Sequence, residues 1–181
     1  MEKFSLTEVQ LAYMLGRNEE FKSGNVATHY YNEILNNLDA DRFQRALNKV
    51  IQGHKMLHTI INRDATQSEL KEYAPYQVKY HDLSVLSEQE REEKRLEIRE
   101  ELSHKNYEIG TWPMFSFEIA KISEGKKVLF VSIDLIISDA SSIMILFNDL
   151  YRYYMDETLP VQEEEVTFQD WIDNKRILDH I

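Results

Sequence analysis

The sequence contains no cysteine, which excludes a disulfide framework, a thiolate nucleophile and a cysteine-based metal site. It has only 5 glycines and 3 prolines in 181 residues, well below the usual ~7% and ~5%. That scarcity favours long regular elements over a turn-rich β-sandwich or a disordered linker. The glycines, Gly16, Gly24, Gly53, Gly110 and Gly125, are too far apart to build a dinucleotide-binding or P-loop phosphate cradle. Positive charge is also in short supply, since 21 Lys and Arg stand against 32 Asp and Glu, for a net charge of −11. A polyanion is repelled by such a chain unless a local basic patch intervenes. The densest basic stretch, residues 91–105, holds as many glutamates as lysines and arginines. Neither nucleic acid nor a membrane surface is therefore expected as a partner. No apolar run approaches ~18 residues, and the opening MEKFSLTEVQ has no basic segment followed by an apolar one, so a cytoplasmic location is expected.

What is present is a mixture of helical and strand patterns over a length typical of one domain. Residues 7–16 read as a short helix behind Thr7, with Gly16 placed to end it. Residues 26–35 are β-branched and aromatic and read as a strand. Asp39 is a candidate N-cap for a helix carrying Phe43, Ala46, Leu47, Val50 and Ile51 up to Gly53. Residues 57–61 and 69–73 read as a hairpin around a polar turn at 62–67, and 76–80 as a further short strand. Residues 87–104, dense in Glu, Arg and Lys, read as a solvated helix anchored by Leu86, Leu96 and Leu102. Two strands follow at 114–122 and 127–137, the second nearly continuous in apolar character, as befits a strand covered on both faces. Ser138 or Asp139 then caps a helix with apolar positions Ile143, Leu146, Phe147, Leu150, Tyr151 and Tyr154. Beyond an acidic connector, Phe168, Trp171 and Ile172 open a last amphipathic helix to about residue 178. The expected fold is an α/β (α+β) sandwich whose mixed sheet is covered by helices.

The junction of the central strand and the long helix carries the most chemical information. A carboxylate inside an apolar strand is costly to bury, so Asp134 must be paired, hydrogen-bonded or facing a water-filled cavity. Asp139 sits where the helix dipole and free N–H groups favour a negative charge. Ser142 falls on the same helix face, three residues on. Capping alone accounts for Asp139 and Ser142, but it does not account for Asp134.

In the spacing DxxxxDxxS, Asp134, Asp139 and Ser142 resemble the signature of heterocyclization domains of nonribosomal peptide synthetases. Those domains are variants of condensation domains, whose own signature is HHxxxDG. The segment FSLTEVQLAYMLGR at residues 4–17 is similar to the first core motif of the same family. His54, Lys55, Met56 and Leu57 resemble its RHxxL core, and Phe168, Gln169, Asp170 and Trp171 the segment that follows the acidic connector. The likeness thus runs over essentially the whole chain. On this alignment Asp134 takes the place of the first motif histidine and Leu135 that of the second, the one implicated in condensation. A leucine has no proton to exchange, which argues against a histidine-dependent, free-standing acyltransferase. None of the six histidines, His29, His54, His58, His81, His104 and His180, falls at that place, and each is expected to be structural or at the surface. Two departures stand out: Gly53 replaces the first arginine of the RHxxLR pattern and His58 the second. The resemblance makes His58 a weaker, pH-dependent partner for Asp139 in place of an always-charged guanidinium.

The resemblance implies a chloramphenicol-acetyltransferase-like two-layer sandwich, with residues 1–181 as the N-terminal lobe of a two-lobed domain whose C-terminal lobe is absent. It implies condensation of a carrier-bound acyl or peptidyl thioester with carrier-bound Cys, Ser or Thr, then cyclodehydration to a thiazoline or oxazoline. Asp134, Asp139 and Ser142 are the implied catalytic residues, with the two aspartates holding the junction and the tunnel floor, or one of them meeting the incoming amine. No cofactor is expected on the lobe itself, since the substrates arrive on phosphopantetheine, and no metal, since no His/Asp/Glu pair has ligand spacing on one element with a second pair nearby. The implied partners are the upstream and downstream peptidyl carrier protein domains, the missing lobe and an adjacent adenylation domain, with self-association through the exposed lobe interface. The isolated chain is expected to be inactive. The alternative is a non-catalytic carrier-protein-binding or docking module with a degenerate condensation-like fold.

Overall fold

The structure, a computed structural model, describes residues 2–17 and 27–179. Its centre is a four-stranded sheet in the order β2-β7-β6-β5, formed by β2 (His29–Asn36), β5 (Lys79–Asp82), β6 (Phe115–Ser123) and β7 (Lys126–Asp134). β2 and β6 run antiparallel to β7, while β5 runs parallel to β6, so the sheet is mixed as expected. Residues 128–134 of β7 are all buried. Alternation sends Leu129, Val131 and Ile133 into the main core and Val128 and Phe130 into a second cluster on the other face.

Helices cover both faces. On the main-core side lie α2 (Ala40–Gly53) and α4 (Ala140–Met155). α2 is capped by Asp39, which accepts from the Arg42 N–H, and buries Phe43, Ala46, Leu47, Val50 and Ile51 at helical spacing. Each of these side chains other than Ala46 contributes roughly 1.5–3 kcal/mol of burial energy. α3 (Glu88–Ser103) lies on the opposite face behind a Ser87–Glu90 capping box and buries only Ile98 and Leu102. Leu96, expected as an anchor, is exposed, and Ile98 fills its place because it is four residues from Leu102 on one helix face. On α4 the buried tyrosine is Tyr153, while Tyr151 points outward, the phase being set by Ile143 and Leu150.

A second, three-stranded sheet in the order β1-β4-β3 is antiparallel throughout. It joins β1 (Phe4–Ser5), β3 (Thr59–Ile61) and β4 (Thr66–Glu69). The hairpin is tighter than expected. A 3-10 turn at Lys55–His58 precedes β3, and the loop closes at once through Asn62 N–H to Thr66 C=O at 2.7 Å. Thr66, Gln67 and Ser68 are polar yet pair as strand, with Gln67 and Ser68 fully buried. The strand expected at 76–80 starts at Lys79 instead. The backbone before it is taken up by α2 side chains, Tyr76 N–H donating to Asn48 Oδ1 at 2.8 Å and Val78 N–H to Gln44 Oε1 at 3.0 Å. In β2 the first expected residue, Val26, lies outside the described residues. β7 stops at Asp134 rather than 137, because the Asp134 carboxylate accepts the Ile136 N–H at 2.9 Å and turns the chain.

α1 (Glu8–Gly16) carries a Thr7–Gln10 capping box. Its only fully buried residue is Gln10, while Val9 and Leu15 are exposed. Gly16 is the last helical residue, and Arg17 forms the C-cap. α5 (Phe168–Asp179) follows the acidic connector and buries Ile172. Among the described residues no helix is long and apolar enough to cross a membrane.

Candidate functional site

The turn at 135–138 that follows β7 and the start of α4 form the floor of a groove of about 730 Å³. α1 supplies one rim through Thr7, Glu8, Val9 and Gln10, and the segment from Glu164 through Trp171 supplies the facing wall. His54, Met56 and Leu57 close one end.

The floor is fixed from beneath. Asp134 is fully buried, and Arg17 Nη2 lies 2.5 and 2.6 Å from its two carboxylate oxygens. Arg17 itself is almost wholly buried and donates through Nη1 to the Tyr107 carbonyl at 3.0 Å. Gln10 Nε2 donates to the Ile136 carbonyl at 2.8 Å and pairs reciprocally with the Gln67 amide at 3.1 Å. Gln67 in turn reaches the Ser5 carbonyl at 2.8 Å. The first core segment, residues 4–17, is thus bound to the β7–α4 junction by a buried ion pair at one end and an amide clasp at the other.

The three candidate residues are not equivalent. Asp139 and Ser142 line the groove, whereas Asp134 lies below the floor made by Leu135, Ile136 and Ile137. Asp139 is the N-cap of α4 and accepts the Ser142 N–H at 2.7 Å. Hydrogen bonds from the Ser142 backbone and side chain hold its carboxyl below the usual carboxylate range. It therefore stays ionised at neutral pH and suits a partner for a cationic amine better than a proton acceptor.

His58 does not meet Asp139. Its ring stacks on Tyr73 at 4.9 Å, its Nδ1 lies 3.2 Å from the Leu70 carbonyl, and burial lowers its pKa. It lines a separate cavity of about 570 Å³. The pairing expected of it fails because the segment after β4, through Leu70 and Tyr73, takes up the ring and the helix terminus takes up Asp139. Gly53 has a steric reason: a Cβ there would stand 2.6 Å from the Gln162 carbonyl oxygen of the acidic connector. An arginine at that position and this path of the connector are incompatible.

Two residues outside the DxxxxDxxS signature also meet the site. Arg17 was visible only as the last residue of a motif, although a buried Asp134 calls for a cation, and a search for its partner among the motif arginines leads to it. His54, expected to be structural or at the surface, lines the groove with Nε2 3.0 Å from Asp149 and Nδ1 3.3 Å from Glu164.

The condensation domain family matches residues 1–179. Bacitracin synthase 1 of Bacillus licheniformis is 34% identical over 171 residues, 94% of this chain and 3% of its own length. Phenyloxazoline synthase MbtB of Mycolicibacterium paratuberculosis is 30% identical over 162 residues, 88% of this chain and 14% of its own length. The crystal structure of the EpoB NRPS cyclization-docking bidomain from Sorangium cellulosum superposes with a TM-score of 0.93 at 28% identity. That alignment covers 99% of this chain and 36% of the bidomain. The chain therefore spans a small part of these relatives.

Proposed function

This chain belongs to the condensation domain family of nonribosomal peptide synthetases, and we propose that it is the N-terminal lobe of a heterocyclization domain. In that role it would serve amide formation between a carrier-bound acyl thioester and the amine of carrier-bound Cys, Ser or Thr. The side-chain thiol or hydroxyl would then add to the new amide carbonyl and water would leave, giving a thiazoline or oxazoline. The observation that carries this reading is the β7–α4 junction: Leu135, at the place that the resemblance gives to the motif histidine, lies in the groove floor, and Asp139 and Ser142 line the same groove. Likeness to a synthetase named for an oxazoline and to a cyclization bidomain supports it.

The chemistry suits a groove that positions more than it reacts. Two tethered substrates brought together gain effective molarity, worth ~7–11 kcal/mol of barrier at best. Asp139, ionised at the groove, would orient the incoming ammonium or its amine, Ser142 would steady Asp139, and Asp134 would act only through the floor it anchors. The groove's rim residues Val9, Ile145, Val166 and Trp171 are exposed. An apolar rim of this kind suits coverage by a second lobe or, without one, self-association. Substrates on phosphopantetheine would come from carrier domains upstream and downstream, with an adenylation domain adjacent, in the cytoplasm.

The test is a carrier-loaded assay on an intact domain, separating linear amide from cyclised product by mass. Cyclised product lost on Asp139→Ala supports the reading, and a domain that makes only linear amide refutes it. The 181-residue chain alone is expected to give neither product. The second reading, a non-catalytic carrier-binding module, draws on His58 standing away from Asp139. Carrier binding with no product from the intact domain would favour it.

A further inference from the structure

We propose that His54 is a positioning residue that clamps the connector against the groove, and that the clamp opens when His54 loses its proton. The geometry requires a charged ring. Both ring nitrogens face carboxylates, Nε2 toward Asp149 Oδ2 at 3.0 Å and Nδ1 toward Glu164 Oε1 at 3.3 Å. A neutral imidazole has one N–H and can donate to only one of them, leaving a lone pair against the other. Burial pushes the His54 pKa down, but the hydrogen bonds and charges of Glu164 and Asp149 outweigh it and the net shift is upward.

The two carboxylates are not equally supplied. Asp149 also receives Arg152 at 3.1 Å, whereas Glu164 has no other ion pair among the described residues. The second carboxylate oxygen of Glu164 is buried without a hydrogen-bond partner. The Nε2 contact to Asp149 is the shorter of the two, so the neutral ring that keeps its proton there strands Glu164, a carboxylate that escapes only by moving into water. The other charged groups around the clamp are of both signs. Glu163 and Glu165 flank Glu164 in the chain, Glu8 shares the groove with it, and Glu69 acts with it on the nearby His58, while Lys55 acts on His58 and on Asp170 of α5 and Arg152 is held by Asp149. His58 is biased toward its neutral form.

The connector is divided in how it is held. Its first half is tied to α2 and α4 independently of His54. Lys49 donates to the Glu157 and Leu159 carbonyls at 2.6 and 2.7 Å, Arg45 pairs with Glu157 at 2.6 Å, and Tyr153 accepts the Gln162 N–H at 2.9 Å. The second half meets the body of the protein at the Glu164–His54 contact, lines the groove wall with Val166, Thr167, Phe168 and Trp171, and is followed by the buried Ile172. Folded-state pKa elevation means that the clamp is complete below the ordinary histidine range and is lost as pH rises through the raised value. The wall should therefore be closed in mild acid and loosened in mild alkali.

The importance of that wall for catalysis rests on the function proposed above, but the clamp is tested without substrate or carrier, so either idea can fail alone. Amide exchange protection factors, corrected for intrinsic pH dependence, would be followed in the 181-residue chain from pH 6 to 9. Protection over residues 163–172 should fall about tenfold, the effect of losing one charge-assisted hydrogen bond, while residues 115–134 stay unchanged. His54→Gln should abolish the pH dependence of 163–172. Glu164→Gln, which keeps the ring and removes one charge, should lower the His54 titration midpoint read from its ring proton shifts. Unchanged protection across this range in the wild type, an equal pH response in His54→Gln, or an unmoved midpoint in Glu164→Gln would each overturn the proposal.

Discussion

The two walls of the groove are built from opposite materials. On the floor side, the β7–α4 junction is held by an ion pair with both partners out of water and by the buried Gln10–Gln67 clasp. On the connector side, the wall is met by a partly exposed His54–Glu164 contact and carries Val166 and Trp171 at its surface. A buried pair opens only with the fold, because separating it leaves a charge unsolvated. A partly exposed clamp opens locally and responds to pH. The difference separates two tasks: the floor fixes where Asp139 and Ser142 stand, and the connector sets how wide the groove is above them.

Breaking the floor should be the most damaging intervention. Asp134→Ala leaves Arg17 buried and unpaired, and Arg17→Met leaves Asp134 so; each should cost about 3–5 kcal/mol in denaturant unfolding. The double change Arg17→Met with Asp134→Leu should recover most of that loss, since a buried pair replaced by apolar groups is often neutral. A double variant as unstable as the worse single one would mean that the junction needs charge for a reason other than mutual compensation. Gln10→Ala should follow, at about 1–3 kcal/mol, because it strands the buried Gln67 amide and the Ile136 carbonyl.

On the connector side, Gly53→Arg restores the residue of the wider family pattern and should lift the segment around Gln162, since the added Cβ meets its carbonyl oxygen at 2.6 Å. Over-packing of this kind costs typically ~1–3 kcal/mol. The expected signature is local, with amide protection lost near 161–165 and retained in the sheet. Equal loss in both regions would show that connector and core open together, and the contrast between the two walls would collapse.

The parts of the molecule that could be read from sequence are those in which apolar spacing decides the structure. α2 declares itself through Phe43, Ala46, Leu47, Val50 and Ile51, and β7 through its nearly continuous apolar run from Val128 to Ile133. The parts that escaped are those in which polar groups are buried in pairs. Gln67 looks like a turn residue until Gln10 and the Ser5 carbonyl are placed around it. Tyr76 and Val78 look like strand until the amides of Asn48 and Gln44 take their backbone N–H groups. At the site, the demand for a partner to Asp134 was legible, but not that Arg17 met it, because the two residues are brought together only by folding.

The smallest expected effect concerns Asp139, and it separates a cap from a chemical group. As the N-cap of α4, Asp139 is replaceable by asparagine, which accepts the Ser142 N–H equally well. Asp139→Asn should therefore change stability by a few tenths of a kcal/mol at neutral pH, and Asp139→Ala by about 1 kcal/mol. The sign of the pH dependence follows from its lowered pKa: the stabilisation is present above the unfolded carboxyl's pKa and is lost as pH falls through the lower folded value. In Asp139→Asn that acid-limb loss should shrink. If the intact domain carrying Asp139→Asn also turns over normally, the carboxylate serves the helix alone. If turnover falls while stability holds, its charge acts on the substrate, and the pliable wall opposite exists to bring substrate to it.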